Sequence, residues 1–146
     1  MCQEFEIETD SDVIPRIAFG FAGGIGNTGA VCGAVVGAVM AIGLKLGRGD
    51  TMEESLRRLE VPREFRRRFE AEMGTISCRE LTGADLTSEE GVEQYMSSDT
   101  PMTACFPAVG VAYRLVVDLL KETSGSGGRS AQAPVGGSWS GNLTTC

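Results

Sequence analysis

The stretch GFAGGIGNTGAVCGAVVGAVMAIGLKL, residues 20–46, decides how this chain folds. Gly20, Gly23, Gly24, Gly26 and Gly29 crowd its first part. Each glycine costs a helix interior about 1 kcal/mol relative to alanine, so this part reads as a loop whose backbone can come close to other atoms. From Ala30 to Leu46 the chain is apolar until Lys45. Gly29, Gly33 and Gly37 recur every four residues, as do Ala30, Ala34 and Ala38, giving a helix face that admits a second backbone. Val31, Val35, Val39 and Ile42 form an adjoining apolar stripe. The spacing predicts a central buried helix over 30–46, stopped at Gly47 or Gly49, with Lys45 and Arg48 near its negative end.

Working outward, Ser11 or Asp12 suits the cap of a short helix running to Phe19, with Pro15 in its first turn. Thr51 with Glu54 is a capping box for a helix from Met52 to about Glu60. Pro62 opens another, on which Phe65, Phe69 and Met73 share a face, and Gly74 closes it. Thr75 to Thr82 reads as a short helix carrying Cys78 and stopped by Gly83. Residues 84–100 form a polar connector with room for one helical stretch, and Ala104 to Lys121 is a long periodic helix. No segment alternates like a strand with hairpin turns. The expectation is an all-α bundle of about five helices over residues 1–122, followed by a flexible Gly/Ser-rich tail over 123–146.

Charge and composition exclude several functions. With 20 Asp and Glu against 13 Lys and Arg, the net charge is −7. An acidic chain is a poor general partner for nucleic acid or for an anionic membrane, and neither is expected. The sequence has no histidine, which removes imidazole bases, Ser-His-Asp triads and His-ligated zinc. Residues 3–12 are polar and acidic rather than basic then apolar, so the expected address is cytoplasmic. There structural disulfides are rare, and the five cysteines, Cys2, Cys32, Cys78, Cys105 and Cys146, read as buried thiols, metal ligands or redox groups.

Three local patterns have plain explanations. Gly24-Ile-Gly-Asn-Thr-Gly29 fits a dinucleotide-binding fingerprint, but no strand precedes it and no acidic-ended strand follows, so a hinge and close-packing device is the better reading. Ile17 to Leu44 has one charged-residue-free run, yet Asn27, Thr28 and the glycines divide it, which favours a buried helix over a membrane span. Arg57, Arg58, Arg63, Arg66, Arg67 and Arg68 alternate with glutamates, as on solvated helix faces with paired charges.

Cys32, Cys78 and Cys105 fall in three predicted helices and contain no C-x-x-C pair, so their spacing alone is a weak metal signal; isolated cysteines are often small core residues. Cys32 lies near the start of its helix, where the dipole favours a thiolate. Three blocks together carry more. The run from Phe21 through Cys32-Gly33-Ala34 to Gly37 and Lys45, the block from Phe69 through Gly74 and Cys78-Arg79-Glu80-Leu81 to Gly83, and Cys105-Phe-Pro-x-Val109 resemble the C-GCAxxG-C-C family of redox-active proteins over about residues 12–120.

The resemblance implies a redox or metal-binding thiol site. Cys32 takes the family's central position, although the order here is Cys-Gly-Ala rather than Gly-Cys-Ala; Cys78 takes the next and Cys105 the last. The family's first cysteine is either Cys2, only three residues before Phe5, or missing. A similar domain accompanies haem and an iron–sulfur centre in split-Soret cytochromes, but this chain has no C-x-x-C-H for haem attachment. Three roles follow for the cysteines. They ligate an iron–sulfur cluster or another thiolate-bound metal for electron transfer, cycle as a metal-free dithiol and disulfide, or serve as buried thiols of a structural module. In the first, Cys32, Cys78, Cys105 and Cys2 are the metal ligands; Gly23, Gly24, Gly26 and Gly33 bring backbone N–H groups near the sulfurs, and Arg79 offsets their charge. A redox partner protein is expected, and the small-residue face packs either within the domain or in a homodimer.

Overall fold

A computed structural model describes residues 12–125 of the chain. Its helices are α1 (Val13–Phe19), α2 (Gly33–Leu46), α3 (Met52–Arg58), α4 (Glu60–Met73), α5 (Cys78–Thr82), α6 (Glu89–Ser97) and α7 (Phe106–Gly125). A π-helical turn, Pro101–Cys105, leads directly into α7. No strand occurs among the described residues, only one isolated antiparallel bridge, Val31 to Ser77, so the all-α expectation holds. Of the expected tail, residues 123–125 belong to α7, and 126–146 lie outside the described residues together with Cys2 and Cys146.

The core is where α7 packs on α2 and α4. The core-cluster side chains on α7 are Ala108, Ala112, Leu115, Val116, Leu119 and Leu120, spaced at three and four so that they form one stripe. Val35, Ala38 and Ile42 face it from α2, and Phe65 and Phe69 face it from α4 with ring centroids 5.9 Å apart. The other face of α2 is exposed: Gly33, Gly37, Val39 and Leu44 lie there, and a side-chain carbon at Gly37 would meet nothing within 4 Å. Of the small-residue series, Gly37 faces open space, whereas Gly29 packs on Arg79, Gly33 lies against the Phe21 carbonyl and Ala38 is in the core. The run Pro101–Ser124 is long and apolar enough to cross a membrane by length and composition, but its apolar stripe is the core of the bundle.

Helix ends follow the residues that the sequence marks. Thr51 Oγ1 accepts from the Glu54 N–H at 3.1 Å, while Glu54 Oε2 reaches back to the Asp50 N–H rather than to that of the cap. Gly47, Gly74 and Gly83 cap α2, α4 and α5 with φ of 64°, 82° and 65°. The arginines do more than line a wet face. Arg58 donates to the backbone carbonyls of Leu46 and Arg48 at the end of α2 and pairs with Glu54, so it fastens α3 to α2. Arg68 bridges α4 to Glu122 on α7, and Arg114 bridges α7 back to Glu72.

Phe69→Ala removes a ring with no solvent exposure and lowers unfolding free energy by roughly 3–5 kcal/mol, whereas Phe106→Ala, at 63% exposure, changes it by less than about 0.5 kcal/mol; denaturant midpoints distinguish them. Glu64 accepts from Arg67 and Arg68, which holds its carboxyl down at about 2. Its contribution is thus present above the ordinary value of 4.5 and is lost as pH falls towards 2. Glu64→Gln should flatten that acid limb slightly, because Glu64 and its two arginines stay in contact with solvent and are salt-screened.

Candidate functional site

Residues 30–32 are expected to begin the α2 helix, and they do not. They run extended and pair with 76–78: the Cys32 N–H donates to the Ile76 carbonyl at 2.8 Å, and the Cys78 N–H donates to the Ala30 carbonyl at 2.6 Å. The Arg79 N–H continues the clasp to the Gly29 carbonyl at 3.0 Å. The pairing satisfies backbone groups that a helix would otherwise have used, and β-branched Val31 suits the extended form. Cys32 becomes the N-cap of α2 rather than a residue inside it, which keeps it at the helix start as expected. Cys78 is the first residue of α5, after Ser77, whose side chain accepts from the Glu80 N–H.

The glycine loop is what lets this clasp close. Gly23, Gly24, Ile25, Gly26 and Asn27 all have φ between 59° and 73°, a consecutive left-handed run that includes two side-chain-bearing residues. L-residues adopt this conformation at a cost of about 1–2 kcal/mol each, and usually singly. The loop's own hydrogen bonds offset it: Gly26 N–H to the Gly20 carbonyl, Asn27 N–H to Ala22, Gly29 N–H to Gly23 and Ala30 N–H to Gly24. Gly24 is buried, and a Cβ there would lie 2.6 Å from the Cβ of Cys78; one at Gly29 would lie 2.9 Å from the Cβ of Arg79. The close-packing reading of the fingerprint therefore holds, and the partner is the segment carrying the second cysteine.

Cys32, Cys78 and Cys105 line one cavity of about 420 Å³. Cys105 reaches it from the last position of the π turn, where the Phe106 N–H bonds to the Pro101 carbonyl five residues back. Such turns are frequent at functional sites, because they re-aim a side chain without ending the helix. The walls are largely apolar, with Phe21, Leu86, Val92, Met96 and Val109, and no carboxylate lines them. Cys78 is buried while Cys32 and Cys105 are half-buried, and none is in a disulfide. Burial pushes the Cys78 thiol up, and the neighbouring Cys32 and Cys105 sulfurs push the same way, so the three share one electrostatic environment.

Of the glycines expected near the sulfurs, Gly23, Gly24 and Gly33 line the cavity. Gly26 does not; it lines a neighbouring open depression with Thr28, Thr87 and Glu89, because the left-handed run turns it outward. Arg79 is also not among the lining residues. Its guanidinium donates to Asp85 at 3.0 Å and to the Thr28 carbonyl at 3.4 Å, so it braces the loop from outside rather than facing the sulfurs. Tyr95 on α6 is the site residue that sequence reasoning missed. Its hydroxyl is 3.2 Å from the Cys105 sulfur, and burial together with that contact pushes the phenol up to about 12. The only signal was the spacing of Val92, Tyr95 and Met96 on one face of a stretch read as a polar connector.

Among the described residues, no three Cys, Asp or Glu side chains converge tightly enough to hold a single metal ion. A lone tetrahedral ion needs metal–sulfur distances of about 2.3 Å, so the thiols ring a space instead of meeting at a point. In kind, the three thiols are soft donors with no carboxylate beside them, and the other polar side chains on the wall are Asn27, Thr82 and Tyr95.

These features define a small all-α protein with a thiol-lined cavity assembled from remote parts of the chain. Residues 1–119 match the family C_GCAxxG_C_C, described as "Putative redox-active protein", and the chain belongs to that family. No curated protein and no solved structure matches it.

Gly24→Ala tests the clasp. The added carbon meets Cys78 and the backbone must stay left-handed, so the loss should be about 1–3 kcal/mol beyond that of Gly26→Ala, which has open space. Alkylation of Cys78 should also quicken in Gly24→Ala and not in Gly26→Ala.

Proposed function

We propose that the chain is an electron-transfer protein in which Cys32, Cys78 and Cys105 hold an iron–sulfur cluster in the cavity that they line. The observation that carries this reading is the gathering of three cysteines, remote in sequence, around one largely apolar space that no carboxylate lines. Thiolates are the usual ligands of such clusters, and a bound cluster would supply a one-electron couple. The largely apolar walls limit the water around the sulfurs, and the absence of a side chain at Gly24 lets Cys78 take its place in the wall. Cys2 is the candidate for a further ligand. The electron donor or acceptor would be a redox partner protein, and the exposed Gly33 and Gly37 face of α2 is available to a second copy.

The contact between Tyr95 and Cys105 favours a second, metal-free reading. Two of the cavity thiols would exchange with a disulfide of a partner protein: one thiolate attacks, a mixed disulfide forms, and the second thiol displaces the partner. The chain then keeps the disulfide, and the partner leaves with two electrons and two protons as its dithiol.

Protein purified anaerobically should contain iron and acid-labile sulfide with visible absorption, and Cys78→Ser should lose most of both. A colourless, iron-free protein after anaerobic reconstitution contradicts the cluster. In that case, counting free thiols before and after mild oxidation tests the exchange reading, which requires two to disappear.

A further inference from the structure

The mouth of the thiol cavity is apolar and open to solvent. Met96 and Val109 both line the cavity, yet they are 70% and 54% exposed. Phe106 and Met102, also more than half exposed, continue this apolar surface along the start of α7 and the π turn. Exposed apolar surface of this kind, rimmed by polar groups, marks a contact with another macromolecule. The rim here is acidic. Glu89 and Glu93 lie on the same side of α6 as Met96, seven and three residues before it. The Asp99 carbonyl accepts from the Met102 and Thr103 N–H groups at 2.9 and 3.0 Å, which holds that acidic residue beside the patch. Between Arg79 and Arg114 the chain has six acidic residues, Glu80, Asp85, Glu89, Glu90, Glu93 and Asp99, all exposed, and no Lys or Arg. Of these six, Asp85 is the one in an ion pair among the described residues, with Arg79. On α3 and α4, by contrast, Glu54, Glu60, Glu64 and Glu70 each pair with an arginine. Uncompensated negative charge is therefore concentrated at the end of the bundle where the cavity opens.

This charge selects the occupant. A second copy joined through this face by a two-fold axis would set the same acidic rim against itself. The first ten residues of the chain carry Glu4, Glu6, Glu8 and Asp10 and no basic residue, so the rim repels them as well. We propose that the face is the docking surface for the redox partner, and that this partner is a basic protein whose Lys and Arg side chains ring an apolar centre. The ring meets Glu89, Glu93 and Asp99, and the centre covers Met96, Met102, Phe106 and Val109 at the cavity mouth. The inference deepens the electron-transfer reading and rests on it for its purpose, because docking there seats the partner over the cavity that Cys105 lines.

The probe is ferrous cytochrome c, a basic protein with lysines around an exposed haem edge, which in its reduced form takes no electron from the chain. Anaerobic calorimetric titration into the full-length chain should show an association that weakens as salt is raised. Glu89→Lys with Glu93→Lys should weaken it at least about tenfold. Asp50→Lys with Glu53→Lys makes the same charge change at the start of α3, which packs on α4, and should cost less than about twofold at 0.1 M salt, where charges more than about 10 Å away are screened. Phe106→Ala, which leaves the fold stable, should weaken binding about fivefold at low and at moderate salt. No association at low salt, or equal losses from the two pairs of charge reversals, overturns the proposal. Affinity unchanged by Phe106→Ala overturns it as well, and if that variant also dissolves a dimer, the face belongs to a second copy. The titration reads neither iron nor thiol oxidation, so failure of the electron-transfer reading and failure of the docking face are separable.

Discussion

The backbone clasp between residues 29–32 and 76–79 is the constraint on which the rest of the structure depends. Three hydrogen bonds, from the N–H groups of Cys32, Cys78 and Arg79, tie the segment before α2 to the segment before α5. The clasp can close only because Gly24 and Gly29 present no side chain to Cys78 and Arg79. A pair of cysteines separated by the whole of α2, α3 and α4 is thereby brought to one wall of a cavity, without a disulfide between them. Arg79, turned away from the sulfurs, adds a second fastening from outside by gripping Thr28 and Asp85.

The third cysteine arrives by a different route. α7 is fixed by its stripe against α2 and α4, so whatever precedes it is carried to a defined place at the end of the bundle. The π turn then sets the direction in which Cys105 leaves that helix. The division of labour is physical. The bundle core supplies rigidity through buried Phe65, Phe69, Val116 and Leu120, while the irregular pieces, a left-handed loop and a π turn, supply aim. Irregular backbone is costly and persists where surrounding structure over-determines it, which is why both pieces are braced by dense local hydrogen bonds.

Much of the bundle was legible because its signals are local. Thr51, Gly47, Gly74 and Gly83 mark helix ends by chemistry that acts within a few residues, and Phe65 with Phe69 marks a face by spacing alone. The three cysteines were legible as a set, but their common cavity was not: nothing in their separations encodes the Ala30–Cys78 clasp. Residues 30–32 looked helical because Ala30 and Val31 continue the apolar run, and a non-local pairing with 76–78 overrode that preference. Arg79 looked suited to offsetting thiolate charge by its place beside Cys78, yet side-chain direction, set by the turn at Gly29, decides otherwise. Tyr95 was hidden for the same reason, since its partner lies on a separate element whose approach is fixed only by the packed bundle.

The most direct test of the central claim is to locate the sulfur atoms experimentally, by anomalous diffraction from crystals of the reduced protein. The structure predicts anomalous peaks for Cys32, Cys78 and Cys105 around one apolar cavity, with the Tyr95 hydroxyl against the last of them. Peaks that place any of these three sulfurs on a separate surface, facing away from the other two, would contradict it.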